Sequence, residues 1–311
     1  MLHLRLIVPA PRTEEVVATL EKSVGTTHLA VVPGAARSPS GDLVLCDVAR
    51  EAGDEVIGRL RDMGLAECGS ISVENIDLSL SSRAEQAEEE APGAAADAVL
   101  WEQLTNATDE ESRFTVTYVA FLAVATMLAA CGVMLDNAIL IVGAMAVGPE
   151  FGPLAGLSTA LVLRSRHLGV RSLYALIGGF AAAMVFTSGF AWLMDTLGLF
   201  TFDMFEAPRP NTSFIWQPDW MSFVVAFLAG IAGTLSLTSS KSAALIGVAI
   251  SVTTVPAAAN AAVALSYTDY GQFWGSTGQL LANLGGIVLA GTLTLLTQKA
   301  LWSVQHKHTT D

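Results

Sequence analysis

The chain has 311 residues, of which 52% are apolar and 14% charged, and a formal net charge of −13 at pH 7. Soluble domains carry about 25% charged residues, so the composition points to the membrane. With no cluster of Lys and Arg to neutralise phosphates, the acidic balance excludes nucleic acid as a partner. The charge is also segregated. Met1 to Arg113 holds 9 basic and 21 acidic residues, a net of −12, whereas Phe114 to Asp311 holds 7 and 8, a net of −1. A water-facing part therefore ends near Arg113 and a lipid-facing part begins.

The first 81 residues alternate strand and helix signals. Leu2 to Val8 has the period-two pattern of a strand. Val16, Val17, Leu20 and Val24 share one face of a helix that Gly25 stops. His28 to Val32 is a second strand closed by Pro33-Gly34, Ala35 to Gly41 a loop, and Asp42 to Val48 a third strand. Val56, Ile57, Leu60 and Met63 form a second amphipathic helix, and Ser70 to Leu80 a fourth strand. The order β-α-β-β-α-β predicts a ferredoxin-like α+β domain, a fold that hosts many functions and names none. Cys46, Cys68 and Cys131 form neither a CxxC nor a Cys/His zinc spacing. They read as buried apolar thiols, and the lack of a disulfide framework fits a reducing, cytosolic setting.

Residues 82–113 read as an acidic linker. Ser81 to Asp97 is rich in Ala, Glu and Ser, too polar to bury a core. Asp97 is placed to cap a short helix through Val99, Leu100, Trp101 and Leu104. Its apolar face and Trp suit the bilayer interface, and packing on the soluble domain is the other expectation.

Residues 114–301 read as a transmembrane domain, followed by a tail at 302–311. Crossing about 30 Å of hydrocarbon takes about 20 apolar residues. Six stretches qualify: Phe114 to Leu135, Asn137 to Leu163, Leu168 to Leu197, Trp220 to Leu237, Ser242 to Leu265, and Phe273 to Leu301. Arg164, Arg166, His167, Arg171, Lys241, Lys299 and Lys307 fall on one side, and only Arg209 on the other. The positive-inside rule then predicts a multi-pass protein of the inner (cytoplasmic) membrane with both termini in the cytoplasm.

The second and fifth stretches match in pattern. Leu140 to Ala155 runs apolar, then Gly143, then the break Gly148-Pro149-Glu150-Phe151-Gly152-Pro153. Ala244 to Ala259 runs apolar, then Gly247, then Thr253-Thr254-Val255-Pro256. Two units of three spans each require an inverted repeat. Inverted repeats with helices broken at matching places point to a binding site at the membrane midplane. Proline removes a backbone donor, and helix breaks in lipid survive only inside protein or beside a water-filled cavity. Glu150 is the one acidic residue deep within any predicted span, and such residues usually handle ions or protons. Thr253, Thr254, Asn260 and Asn283 are the polar residues expected to join it. The bland alternatives are a packing kink at each proline and a Glu150 that ties helices together.

These segments resemble the DUF389 family of uncharacterised bacterial hydrophobic membrane proteins. The resemblance covers roughly Trp101 to Thr297. It is carried by Asn137 to Met145 with Gly148-Pro149 and Gly152-Pro153, and by Ser239 to Ala249 with Val255-Pro256. In many members an apolar residue follows the first proline, where this chain has Glu150. The resemblance implies the architecture and no particular activity.

The expected function is transport of a small solute or ion by a secondary transporter or channel, with the soluble domain regulating or assembling it. The alternative is a membrane-anchored sensor or scaffold. The spans offer no Asp dyad, Ser/His pair or metal-ligand cluster, so neither an enzyme nor a cofactor is expected. The expected partners are the lipid bilayer, an unidentified solute or ion, and further copies of the chain, since Gly285-Gly286 and Gly291 permit close helix approach.

Overall fold

The computed structural model describes residues 1–91, 93, 98–216, 220–239 and 254–308, without the side chains of 214 and 302–308. The chain forms two compact units. One is Met1–Gln103 with Thr238–Ser240 and Lys299–Asp311, and the other is Leu104–Leu237 with Lys241–Gln298.

In the first unit the elements are β1 (Leu2–Val8), α1 (Thr13–Glu21), β2 (Thr26–Arg37), β3 (Ser40–Val48), α2 (Arg50–Asp62), a single helical turn α3 (Leu65–Cys68) and β4 (Ser70–Asn75). They form one four-stranded sheet in the order β2-β3-β1-β4, every neighbouring pair antiparallel. Alternation along β1 sends Leu2, Leu4, Leu6 and Val8 to one face, and Val44, Cys46 and Val48 of β3 join them. Val16 and Leu20 of α1 and Val56, Ile57 and Leu60 of α2 close over that face. Each fully buried Leu or Val there contributes about 1.5–3 kcal/mol relative to exposure.

The strand boundaries differ from the sequence reading for local reasons. β2 does not stop at Pro33-Gly34 but continues to Arg37. Gly34 takes a φ of 65° and donates its N–H to Asp42 Oδ1 at 2.8 Å, and the register shifts between Val32 and Ala36. This bulge absorbs the proline and shrinks the expected loop to a turn at Ser38-Pro39. β4 ends at Asn75 rather than Leu80. Its last paired residue, Asn75, stands opposite Leu2 of β1, and Ile76 N–H still reaches Met1 O at 3.2 Å.

The segment expected to be an unstructured linker is helical over α4 (Ser82–Glu90). Ser81 Oγ accepts from Ala84 N–H at 3.4 Å as its N-cap, and Ala84 and Ala87 are buried. Composition underestimated a helix that needs only two alanines to dock and one serine to start it. Glu88 also pairs with the N-terminal ammonium of Met1 at 3.1 Å. α5 (Trp101–Glu111) runs longer than the expected turn through Leu104. Its first N–H, from Trp101, binds Asp54 Oδ1 at 3.1 Å, and its expected cap Asp97 lies outside the described residues.

In the second unit, four helices among the described residues are long and apolar enough to cross a membrane: α6 (Val116–Met134), α9 (Arg166–Thr196), α11 (Trp220–Thr238) and Tyr270–Leu301 of α13 (Tyr270–His308). They correspond to the first, third, fourth and sixth predicted spans. Phe121, Ile177, Val185, Trp192, Leu228 and Leu281 are exposed on them, an apolar surface that lipid accommodates and water does not. The second predicted span is interrupted: α7 (Ala138–Met145) and α8 (Phe151–Leu163) are separate helices. Of the fifth, α12 (Val255–Ser266) is described, while residues 242–253 lie outside the described set.

Small residues set the packing. α12 is buried without interruption from Val255 to Ala264. Alanines let α6 and α9 close on it, and polar stitches hold them: Thr126 Oγ1 to Thr187 Oγ1 at 2.7 Å, and Ser188 Oγ donating to Ala262 O at 2.9 Å. A Cβ on Gly291 would lie 2.8 Å from Ser158 Oγ and 2.9 Å from Thr234 Oγ1. One on Gly286 would lie 3.3 Å from the Phe223 ring. Both glycines thus serve contacts within the chain, whereas Gly285 faces open space.

Candidate functional site at the interrupted helix

α7 ends where its hydrogen bonds tighten. Val147 N–H reaches Ala144 O and Gly148 N–H reaches Met145 O, both three residues back. Pro149 has no N–H with which to continue, so the helix stops. The chain restarts at Phe151, with Glu150 at the N-cap and Leu154 N–H returning to Glu150 O at 3.3 Å. Pro153 falls in the first turn of α8, where its missing N–H would have had no helical partner. Gly152 permits a close approach, because a Cβ there would lie 2.4 Å from Glu111 Cβ.

Glu150 is fully buried. Its Oε1 accepts from Thr254 Oγ1 at 2.8 Å. Thr254 is the N-cap residue of α12, and Pro256 occupies that helix's first turn. Two helix N-termini, each started beside a proline, therefore meet at one carboxyl group. First-turn N–H groups and the positive end of each helix dipole favour negative charge there. Burial opposes it. The hydroxyl of Tyr118, on α6, is buried and has no hydrogen-bond partner among the described residues. It packs against Gly179, where a Cβ would lie 2.6 Å from the Tyr118 ring.

Of the residues expected at the site, Gly148, Pro149, Glu150, Gly152 and Pro153 form the break, and Thr254 and Pro256 stand opposite it. Thr253 lies outside the described residues. Asn260 is buried on α12 but bonds elsewhere, to Ser276 Oγ at 2.8 Å and to Arg209. Asn283 is buried on α13 and accepts from Gln279 Nε2 at 3.2 Å. Tyr118 escaped sequence reasoning. The signal was a lone phenol in a run of Val, Ala, Leu and Met, but nothing in the sequence indicates which way it points.

A second polar cluster, also missed, involves the segment between α9 and α11. Arg209, only 8% exposed, donates from Nη1 to Asn260 Oδ1 at 3.1 Å and from Nη2 to Gln272 Oε1 at 2.7 Å. Its guanidinium lies 5.0 Å from the Phe205 ring centre. Burial lowers the Arg209 pKa, against the pull of Asp136 and Asp269. Nearby, Asp136 accepts from Thr212 Oγ1 at 2.9 Å and Asn211 Nδ2 at 2.9 Å. Desolvation raises its pKa, and those hydrogen bonds outweigh it and hold the carboxyl below its usual range.

Several apolar helices, one of them broken around a buried carboxyl, define a multi-pass helical membrane protein. Residues 145–289 match the family described as "Domain of unknown function (DUF389)". The match takes in the helix break, α12 and most of α13, but leaves out most of the Asn137–Met145 segment. A protein of Methanocaldococcus jannaschii described as uncharacterised is 25% identical over 172 residues, 55% of this chain and 50% of its own length. The chain thus spans about half the length of that curated relative. No solved structure matches.

Proposed function

We propose that this chain is a membrane transport protein for a small solute or ion, with Glu150 as its proton- or cation-handling group. The supporting observation is the buried Glu150 carboxyl bonded to Thr254 where the α8 and α12 N-termini converge. A helix break with a carboxyl inside it costs insertion free energy, about 2.5–3.5 kcal/mol for a charge at a helix centre. A merely structural span has no use for it.

The reading includes six spans as a 3+3 inverted repeat. In it, α7–α8 corresponds to the fifth predicted span, whose second half is α12. Proline in or beside the first turn of both α8 and α12 favours that correspondence. The charge asymmetry of the loops supports termini in the cytoplasm and an inner-membrane location on this reading. The sheet order β2-β3-β1-β4 supports reading the first unit's sheet as a ferredoxin-like domain, which on this reading regulates or assembles the spans.

The test is flux into liposomes for H⁺, Na⁺ and K⁺, comparing wild type with Glu150→Gln. Wild type should carry at least one cation, and the variant, which keeps the acceptor but not the charge, should fold and carry far less. Equal flux in both would remove Glu150 from the mechanism. No flux of any cation by the folded protein would favour a membrane-anchored scaffold.

A further inference from the structure

The Arg209 cluster is built from more donors than acceptors. A guanidinium has five N–H groups and accepts nothing. Asn260 and Gln272 take two of them, and with that both amide oxygens are engaged. Asn260 Nδ2 then donates to Ser276 Oγ at 2.8 Å and to Gln272 Oε1 at 3.5 Å, which engages both of its hydrogens. A hydroxyl that accepts in this way retains its own O–H to give, and among the described residues the Ser276 O–H finds no acceptor. Arg209 is 8% exposed, and Asn260 and Ser276 are fully buried. The cluster therefore joins a formal positive charge to surplus donors in a place poor in water.

Buried charges are ordinarily paired with an opposite charge. Among the described residues no carboxylate lies within 4.0 Å of the Arg209 guanidinium. Asp136 and Asp269 act on it at longer range. Their oxygens are engaged by other donors: Asp136 by Asn211 and Thr212, and Asp269 Oδ1 by Gln272 N–H at 3.0 Å. Gln272 is only half-buried, so one edge of the cluster is open to a small ligand.

We propose that Arg209 and Ser276, held in place by Asn260, form a binding site for a small oxyanion, a carboxylate or phosphate group. A planar, forked donor suits two oxygens of such a group, and the Ser276 hydroxyl supplies a third donor. The site is separate from Glu150 and does not depend on the transport reading.

The test is thermal unfolding of the full chain in detergent at constant ionic strength. Chloride is replaced by inorganic phosphate or by acetate, and in a separate arm phosphatidylglycerol replaces phosphatidylcholine in nanodiscs. Wild type should gain about 5 °C near saturation with phosphate or acetate. Arg209→Gln should lose that gain, Ser276→Ala should keep only part of it, and Arg209→Lys should keep some of it without the forked contact. General salt effects on water act alike on all four proteins and cancel in the comparison. A gain seen with phosphatidylglycerol but with neither free anion would assign the site to a lipid phosphate, and its loss in Ser276→Ala would confirm that source. Equal shifts in wild type and Ser276→Ala, or no shift with any oxyanion, would overturn the proposal and leave Arg209 as a structural tie. Should Arg209→Gln fail to fold, the Ser276→Ala and Arg209→Lys comparison decides.

Discussion

Replacing Thr254 by Val tests the bond at the centre of the proposed site. Valine keeps the shape of threonine and removes only the hydroxyl. That hydroxyl makes no capping bond to α12, so the loss is confined to the 2.8 Å contact with Glu150 Oε1. Both residues are fully buried, so water cannot replace the lost donor. A hydrogen bond to a charged group contributes about 1.5–3 kcal/mol, and one between neutral groups about 0.5–1.5 kcal/mol. With the carboxyl ionised, as the proposed cation-handling role requires, Thr254→Val should cost about 1.5–3 kcal/mol. For a unit of this size that lowers Tm by roughly 3–12 °C. Glu150→Gln keeps the acceptor but removes the charge, and in that background the same substitution should cost about 1 kcal/mol less. Reversible unfolding in mixed micelles, run as a double-mutant cycle, measures both costs. Equal costs in the two backgrounds would show that the carboxyl is not ionised. A cost under about 0.5 kcal/mol in the wild-type background would show that the bond contributes nothing.

Single cysteines at Ser165 and Ser240, in a background lacking native cysteines, should be shielded from an impermeant thiol reagent in intact cells. One at Ser213 should react, and the reverse pattern would invert the proposed topology. In the native protein, burial pushes the Cys46 thiol up to about 12, with Asp47 adding to the effect. At pH 7.5 iodoacetamide should therefore modify exposed Cys68 and spare Cys46 until the domain is denatured, as peptide mapping by mass spectrometry would show. Rapid Cys46 alkylation in the folded domain would contradict the packing of β3.

Much of this protein is set by local sequence. Charge segregation at Arg113 marks where the charged sequence gives way to an apolar one, because charges are costly in hydrocarbon and cheap in water. Period-two alternation in Leu2 to Val8 and Asp42 to Val48 gave strands, since a pleat sends alternate side chains to one face. Gly148-Pro149 with Gly152-Pro153 foretold a broken helix, because proline's missing donor acts wherever it stands. What the sequence left open depends on partners distant in the chain. β4 runs as far as Asn75, which its register sets opposite Leu2 of β1. α4 is a helix because Ala84 and Ala87 find a surface to dock on, which composition does not reveal. Thr254 rather than Asn260 reaches Glu150, a choice made by how α12 sits between α6 and α9. Tyr118 and Arg209 turn inward for the same kind of reason: a side chain's direction is decided by packing across more than fifty residues of sequence, while its capacity to bond is written in its own atoms.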